Sequence, residues 1–520
     1  MAETAGAEGT GRVVGVRGAG RAAGTVGASG AAASGAEGAA GRAGGQGQRS
    51  RGGGAASAGA PAGKAAIPGQ RGGAIPGFAD ARRARSPKRD GKAVRERLSR
   101  EAHAQARRGA ERPSVEVAVE ASNAGRLPEL VPLRVGRMAA TPFAFLRGSA
   151  GLMAYDLAAL PHTGIRAQLC GDAHAANFGL YGDARGRLVI DLNDFDETAP
   201  GPWEWDLKRL AASLVLAGRE AGADEDACRG AAQDAAGAYR RTMRWLSKLP
   251  VLEAWNAIAD EELVSHTDAR DLAGTLDRVA EKARRNTSAK FAAGATEVLA
   301  DGSRRFTGAP PVLRRVPDAE AASVAGSLAG YLRTLPEDRH PLLARYAVHD
   351  VAFRVVGTGS VGTRSYVVLL LDHRGEPLVL QVKEARPSVL PNDYSGHEGR
   401  RIILGQKRMQ VVSDSLLGWT TIDTRPYQVR QFRNRKGSVD PAALSADQID
   451  DYARMTGALL ARAHAHTADP REISGYAGKS EALDEAIATF AVTYADGVES
   501  DHAELLHSIK SGRLPAELGA

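Results

Sequence analysis

The stretch GIRAQLCGDAHAANFGLYGDARGRLVIDLNDFDE, residues 164–197, decides the fold. Short apolar and β-branched runs alternate with glycine-containing turns, which predicts strand, tight loop, strand, turn and strand. Polar side chains are concentrated where these strands end. They are Asp172, His174, Asn177, Asp191, Asp194, Asp196 and Glu197.

The first loop, GDAHAANFG (171–179), has the residue types of phosphoryl transfer. Transfer to a hydroxyl needs a carboxylate that accepts the hydroxyl proton, and an amide oxygen that binds Mg²⁺. Asp172 and Asn177, five residues apart, have the corresponding spacing. His174 is a second catalytic candidate; alternatively, it only orients the loop through hydrogen bonds to backbone groups.

The acidic end of the last strand, LVIDLNDFDE, supplies candidate metal ligands. Mg²⁺ prefers carboxylate oxygens and water, so a carboxylate beside Asn177 would bridge the metal to nucleotide phosphates. Asp191 and Asp194 are both candidates on this ground.

A glycine-rich segment, RVVGTGSVGTRSYVV (354–368), lies between two strand-like runs. Its residues Gly357, Gly359, Ser360 and Gly362 predict a loop whose backbone N–H groups can approach phosphate oxygens.

A lysine follows this loop: LVLQVKEA places Lys383 on the next predicted strand, where its ammonium can pair with the α and β phosphates. Taken singly, such a loop is more often a plain turn, and a strand lysine is usually a solvated side chain. It is their occurrence together with the acidic loops that favours a nucleotide site.

Composition separates the N-terminal segment from the rest. Residues 1–110 contain 19 Lys and Arg against 7 Asp and Glu, whereas the whole chain has a net charge of only +7. Residues 1–84 are rich in Ala, Gly and Arg with few large apolar anchors, which predicts a disordered leader. The basic run 81–100 is either solvated or a weak contact for nucleic acid or an acidic surface.

The remaining chain is predicted to form three regions. Residues 85–340 form a helical catalytic lobe that carries the GDAHAANF and NDFDE motifs, residues 341–435 a β-rich nucleotide-binding lobe, and residues 436–520 helices that return to the catalytic lobe. No apolar run has the roughly 20 residues of a membrane span, and two cysteines are too few for a disulfide framework. We therefore expect a cytoplasmic protein without a membrane span.

The loop GDAHAANF resembles the G-D-x-H-x-x-N signature of aminoglycoside phosphotransferases and choline-kinase-like enzymes, members of the protein-kinase-like superfamily. The segment NDFDETAPGPWEWDL (193–207) is similar to their aspartate, acidic loop and G-x-P-x-x-D-L, with the proline one place early. The resemblance implies that Asp172 is the catalytic base, that Asn177 and Asp194 are metal ligands, and that Asp206 is structural. Asp191 fits the kinase spacing better and stays an alternative ligand.

The order of these parts differs from that of kinases, because the catalytic loop here precedes the glycine loop. A circular permutation produces this order at low cost when the original termini lie close together at the surface. The helix GALLARAHAHT (457–467) resembles the helix that directly precedes the catalytic loop in these phosphotransferases. The fold class implied is α+β, a two-lobed, circularly permuted protein-kinase-like fold.

Most of the chain from about residue 85 also resembles a bacterial family, domain of unknown function 2252. The resemblance implies a kinase-like fold but brings no substrate. The stretches that carry it are RLPELVPLRVGRMAATPFAFLRGSA, QLCGDAHAANFG, NDFDETAPGPWEWDLKRLAAS, VGTGSVGTRSYVVLL, LQVKEA and GQKRMQ.

Other kinase parts have weaker candidates. Glu398, in SGHEGRRIILGQKRMQ, is the candidate ion-pair partner of Lys383, and PYQVRQF (426–432) the candidate hinge that contacts adenine. Arg147 and Arg430 either approach phosphates or form structural salt bridges.

The function expected from this set is ATP-dependent phosphotransfer, with ATP and Mg²⁺ as cofactors and a small-molecule hydroxyl as acceptor. The alternatives are a nucleotide-binding regulator with little turnover, an adenylyl transferase, and a metal-dependent hydrolase built on Asp172, His174 and the acidic strand end. The hydrolase leaves the glycine loop and Lys383 unexplained.

Overall fold

The computed structural model describes residues 86–109, 111–183, 185–257, 270–310, 312–355 and 357–519. The leader predicted for residues 1–84 lies outside the described residues.

Helices account for most of the described regular structure, and none of them combines the length and apolarity needed to cross a bilayer. In chain order they are α1 (Pro87–Ala93), α2 (Val115–Asn123), α3 (Val131–Met138), α4 (Pro142–Gly148), α5 (Ala150–Ala158), α6 (Glu204–Glu220), α7 (Glu225–Leu246), α8 (Val251–Asn256), α9 (Ala273–Arg284), α10 (Ser288–Ala295), α11 (Asp318–Leu332), α12 (His340–Leu343), α13 (Glu398–Met409), α14 (Ala446–Ala465), α15 (Pro470–Ala477) and α16 (Ala482–Lys510).

The strands belong to one larger sheet and several small ones. They are β1 (Arg166–Leu169), β2 (Phe178–Gly182), β3 (Leu188–Leu192), β4 (Ala199–Pro202), β5 (Thr296–Val298), β6 (Arg304–Phe306), β7 (Leu313–Arg315), β8 (Ala347–Arg354), β9 (Ser365–Leu371), β10 (Pro377–Glu384), β11 (Gly418–Ile422), β12 (Arg425–Gln431) and β13 (Gly437–Ser438).

The larger sheet is antiparallel, with the strand order β11-β12-β10-β9-β8-β7. The strands predicted from the β-branched pattern of residues 345–435 are therefore confirmed. β7 joins the sheet through β8, and α11 packs on β8 and β11. Because both elements precede residue 341, the β-rich lobe begins earlier in the chain than the composition indicated.

The helical half is built around α6 and α7, against which α14 and α16 pack. Their buried faces share one apolar core with α5 and with the strands that carry the acidic loops. β1 pairs with β4, and β2 lies between β13 and β3. The mixed α+β class is therefore confirmed, and the C-terminal helices contact the helices of the first half.

The basic run is described from Ser86 onward and is docked on the body, because α1 packs against α15. Arg95 donates through Nε to the carbonyl of Tyr476 at 2.7 Å, and Arg100 donates to Ser480 Oγ at 2.8 Å. Arg97 donates to the carbonyl of Thr163. For this part of the run the expectation of a wholly solvated segment is wrong, since these guanidinium groups are engaged by backbone and side-chain oxygens.

The contact between α14 and α7 depends on Gly457. A Cβ at this position would lie 2.1 Å from the carbonyl oxygen of Ala235. We expect Gly457→Ala to lower the free energy of unfolding by about 2 kcal/mol or more, because a backbone atom cannot yield as a side chain can. The matched control is Gly230→Ala on α7, where no heavy atom lies within 4 Å of the added Cβ. The control should stabilise slightly; equal urea midpoints for the two variants would contradict the close packing.

Candidate active site

The loop after β1 is fixed by Asp206, which lies in the first turn of α6. Its carboxylate accepts from the backbone N–H of Cys170 at 2.6 Å and of Gly171 at 3.0 Å. His464 Nε2, from α14, lies 3.2 Å from the same carboxylate. Helices distant in the sequence therefore hold the start of this loop, as the structural role implied for Asp206 requires.

Asp172 lies at the surface of the cleft beyond this point, with 22% of its side chain exposed. Its Oδ1 accepts from Arg209 Nε of α6 at 2.5 Å, and its Oδ2 lies 3.9 Å from His174 Nε2. The guanidinium fixes one carboxylate oxygen and leaves the other free to face the cleft.

Asn177 joins the two acidic loops through its amide. Its Nδ2 donates to the carbonyls of Asp172 and Asp194, each at 2.9 Å, and its Oδ1 accepts from the N–H of Asp194 at 2.7 Å. The same oxygen accepts a longer hydrogen bond from the N–H of Asn193 at 3.4 Å, so both of its lone pairs are used within the protein. The geometry gives Asn177 a structural task, and this task competes with the predicted metal contact.

The two candidate aspartates of the second loop have different surroundings. Asp191 is 1% exposed and forms an ion pair with Arg462 of α14. Burial raises the pKa of Asp191, and Arg462 opposes that rise. The side chain of Asp194, in contrast, is 49% exposed and lines the cleft. The structure therefore brings Asp194, and not Asp191, to the predicted site.

Lys383 faces the second acidic loop from β10, and its side chain is only 3% exposed. Its ammonium forms an ion pair with Asp196 and lies 3.9 Å from Asp194 Oδ2. Gln428, opposite Lys383 on β12, donates to Asp196 Oδ1 at 2.7 Å. Two neighbouring strands thus hold the loop through one carboxylate.

The charge of Asp194 is stabilised by its cationic surroundings. Enclosure by the protein raises the pKa of this carboxyl, but Lys383, Arg430 and Lys436 together hold the pKa at about 2. Asp194 is therefore ionised at neutral pH, as a ligand of a hard cation must be.

Glu398 does not pair with Lys383 in this structure. It begins α13 and pairs with Arg401. Arg401 in turn donates to the carbonyls of Thr198 at 2.6 Å and Asp196 at 2.8 Å. In place of the predicted Lys383–Glu398 contact, Glu398 pairs with Arg401, and Arg401 holds the acidic loop through its backbone carbonyls.

The glycine loop lies on the same cleft as the acidic loops. Gly359 and Ser360 line it together with Asp172 and Asp194, around a volume of about 180 Å³. Residues Thr358–Ser360 form a single 3₁₀ turn. Gly362 has φ of 85°, a conformation that strongly favours glycine, and this residue ends the loop. Gly357 lies outside this cleft and lines an adjoining pocket.

The two predicted phosphate-binding arginines form no ion pair with any described residue. Arg147 lines the cleft, and its buried Nε has no hydrogen-bond partner there. Arg430 donates to Gln381 Oε1 at 2.9 Å. The salt-bridge alternative for these two residues is therefore wrong within the described part of the chain.

Over residues 126–508 the sequence matches a family described as an uncharacterized protein conserved in bacteria (DUF2252). The chain belongs to this family. The match includes both acidic loops, the glycine loop and Lys383. Searches among curated proteins and among solved structures gave no match.

His174 of this DUF2252 member is nearly buried and neutral. Burial lowers its pKa to about 4, with Arg147 and Arg209 adding to the effect and Asp172 opposing it. A histidine with this pKa carries no exchangeable charge near neutral pH. Its position favours the alternative in which it orients the loop.

Several residues of the DUF2252 site were not assigned roles from the sequence. Asp196 was noted only as part of the acidic strand end, although a carboxylate two residues from Asp194 is a local signal. Arg209, Arg401 and Gln428 gave no signal, because each contacts the acidic loops across a large sequence separation.

The described residues contain no group of three or more His, Cys, Asp or Glu side chains arranged to hold a metal ion. Mg²⁺ in nucleotide sites is usually held by one or two carboxylates plus substrate phosphates and water. Asp194 fits such a partial site, whereas Asn177 Oδ1 already accepts from the N–H groups of Asn193 and Asp194.

Glu197 gives the DUF2252 site a pH dependence. Burial raises its pKa to about 7, with Asp196 and Asp172 adding to the rise. The folded protein therefore retains a proton that the unfolded chain loses near pH 4.5. The stability contributed by protonated Glu197 is full below pH 4.5 and is lost as the pH rises through about 7.

We expect the melting temperature of Glu197→Gln to rise relative to that of the intact chain as the pH increases from 5 to 8. The glutamine keeps an oxygen for the N–H of Val389, which donates to Glu197 Oε2 at 2.7 Å. Thermal unfolding of both proteins across this range checks the expectation. A difference that stays constant with pH would show that Glu197 does not titrate in the folded state.

Proposed function

We propose that this protein transfers the γ-phosphoryl group of ATP to a hydroxyl group of a small molecule. The observation that carries the proposal is the position of Lys383, whose ammonium pairs with Asp196 and lies 3.9 Å from Asp194. Both carboxylates line the cleft that Gly359 and Ser360 also line. An amine, a glycine loop and an acidic loop gathered at one cleft are the parts of a kinase phosphate site.

The connectivity of the sheet supports a permuted kinase-like fold. The glycine loop joins β8 to β9, Lys383 lies on the next strand, β10, and α13 follows it. Kinases have this order of glycine loop, lysine strand and helix. The catalytic loop comes from an earlier part of the chain, as a circular permutation requires.

A nucleotide can be placed by its chemistry. Its phosphates would lie between Lys383 and the N–H of Gly359, with the hydroxyl of Ser360 beside them, because the Ser360 N–H donates to the carbonyl of Gly357 at 3.0 Å. Its base would lie in the adjoining pocket of about 300 Å³, beside Val355 and Phe432. This pocket includes the end of the predicted hinge. Gly357 contacts it, whereas Gly359 and Ser360 contact the cleft, so the glycine loop spans both.

Asp194 is the group that would hold Mg²⁺, and Asn177 Oδ1, the other predicted ligand, would join it by exchanging the longer contact with the Asn193 N–H for the ion. The ion would neutralise charge on the transferring phosphoryl group. Asp191 is excluded from this task in the proposal, because its carboxylate is buried against Arg462.

Asp172 is the proposed general base. The acceptor hydroxyl oxygen forms a bond to the γ-phosphorus while the bond from that phosphorus to the β–γ bridging oxygen breaks, and ADP leaves with the bridging oxygen. The hydroxyl proton passes to Asp172 Oδ2, since Arg209 holds Oδ1. The narrow cleft favours a small acceptor, in line with the aminoglycoside and choline enzymes that the loop resembles.

A nucleotide-binding regulator with little turnover is the second candidate. It is favoured by the pairing of Glu398 with Arg401 and by the use of the Asn177 amide within the protein. Against it, Lys383 does have an acidic partner, Asp196.

Turnover of ATP in the presence of pooled hydroxyl-bearing small molecules tests the proposal. We expect ADP and a phosphorylated product from the intact chain, and loss of both in Asp172→Asn. The matched control, Asp372→Asn, changes a carboxylate in the exposed β9–β10 turn and should keep full activity. A product that gains AMP in place of phosphate would identify an adenylyl transferase, and nucleotide binding without turnover would identify a regulator.

A further inference from the structure

A second and larger pocket lies beside the proposed nucleotide site, between α9, α10 and the segment 433–438. Its volume is about 920 Å³, and no Asp or Glu is among the described residues that line it. The cations that line it are Arg278, Lys282, Lys290, Arg354, Arg433 and Lys436. We call this the basic pocket.

The cations of the basic pocket are arranged in two levels. Arg354, Arg433 and Lys436 are half-buried and form its inner part, whereas Arg278, Lys282 and Lys290 are exposed around its opening. In the described part of the chain none of these six side chains forms a salt bridge, although many other arginines of the protein do. A concave surface with this much unpaired positive charge matches an anionic ligand.

Asn286 holds the inner wall in place. Its Oδ1 accepts from Arg433 Nη1 at 3.1 Å, its Nδ2 donates to the carbonyl of Lys436 at 2.6 Å, and its own carbonyl accepts from the N–H of Arg435 at 2.9 Å. Arg433 and Arg435 have φ of 58° and 50°, values that side-chain-bearing residues rarely adopt. The wall is therefore a specific conformation secured by hydrogen bonds.

Two of the inner cations lie close to each other. Burial lowers the pKa of the Arg354 guanidinium, and the nearby Arg433 lowers it further. The guanidinium of Arg354 lies over the rings of Phe291 and Phe432, at 5.3 Å and 5.1 Å from their centroids. An anion in the pocket would neutralise this crowded charge, and the aromatic rings offer contact for an organic group.

We propose that the basic pocket binds an organic polyphosphate, a small molecule with two or more phosphate groups. Asp172 is absent from its lining, so this ligand is placed as an effector and not as the phosphoryl acceptor. Arg354, Arg433 and Lys436 also line the pocket proposed for the nucleotide base, which links the two sites energetically. The binding of the anion does not depend on the phosphotransferase function, whereas its role as an effector rests on that proposal.

Calorimetric titration of sodium tripolyphosphate into the full-length chain, without Mg²⁺, tests this site. The double variant Lys282→Gln, Lys290→Gln removes two exposed charges from the opening and should weaken binding about tenfold, equivalent to about 1.4 kcal/mol. The control Lys92→Gln, Lys510→Gln removes two exposed helical lysines that do not line the pocket. It should weaken binding by less than about twofold, because distant exposed charges are screened by salt.

Three results would overturn the proposal: no measurable binding, equal weakening in the two double variants, or loss of binding in Lys383→Ala. The last would place the probe in the cleft. Tighter binding of a single-stranded RNA oligonucleotide than of tripolyphosphate, lost in Lys282→Gln, Lys290→Gln, would assign the pocket to nucleic acid instead. All these outcomes can be interpreted even if the protein shows no ATP turnover.

Discussion

Lys383→Ala is expected to remove the thermal stabilisation of the protein by Mg-ATP. A ligand at one hundred times its dissociation constant stabilises a folded protein by about 2.7 kcal/mol, which is a readily measured shift in melting temperature. The ammonium of Lys383 is buried, forms an ion pair with Asp196 and lies 3.9 Å from Asp194 Oδ2. Without it the phosphates would meet these two carboxylates with no cation between them. The arginines that line the rest of the cleft, among them Arg126 and Arg147, do not pair with either carboxylate, so nucleotide binding should weaken strongly.

Each variant must be compared with its own nucleotide-free form, because removing Lys383 leaves Asp196 with Gln428 alone and lowers stability by itself. The matched control is Lys407→Ala, a lysine of α13 whose amine donates to the carbonyl of Leu417 at 3.1 Å, outside the cleft. The control should respond to Mg-ATP as the intact chain does. Equal nucleotide shifts in Lys383→Ala and in the intact chain would refute the site.

Asp191→Asn and Asp194→Asn are expected to have opposite effects. Asp191 and Arg462 are each 1% exposed, and breaking a buried ion pair by removing one partner costs about 3–5 kcal/mol. Asp191→Asn should therefore lower the free energy of unfolding strongly, while the remaining folded protein still binds Mg-ATP. Asp194→Asn should fold with much smaller loss, because its side chain is half exposed, and should lose the Mg²⁺-dependent part of nucleotide binding.

Urea unfolding and nucleotide titration, with and without Mg²⁺, measure both effects on the same two proteins. Addition of Mg²⁺ should tighten nucleotide binding in Asp191→Asn and have little effect in Asp194→Asn. If Asp191→Asn were the variant that lost the Mg²⁺ effect at unchanged stability, the assignment of the metal ligand would have to be reversed.

Local patterns predicted much of the fold. Alternating β-branched residues at 345–435 predicted the antiparallel strands, and the polar clusters after short strands predicted the loops that carry Asp172 and Asp194. These features are determined by residues close together in the sequence, and residue propensity and hydrophobic periodicity are patterns of such residues. Lys383 could be proposed for the same reason, because its strand, β10, is only one strand removed from the glycine loop.

Contacts between distant segments could not be predicted in the same way. Glu398 and Arg401 are three residues apart on one helix, and they form a local ion pair in place of the expected contact between Glu398 and Lys383. Asp196 received its partners from β10 and β12, and Asp191 received Arg462 from α14. The basic pocket arises where α9 and α10 meet a loop more than a hundred residues later, and no short motif marks it.

The most direct test is a crystal structure of the intact chain with Mg²⁺ and a non-hydrolysable ATP analogue. We predict a triphosphate between the Lys383 ammonium and the turn that carries Gly359 and Ser360, with the metal ion bound to Asp194. A triphosphate bound elsewhere, for example among the cations of the basic pocket, with Lys383 still paired to Asp196 and free of phosphate, would contradict the proposed site.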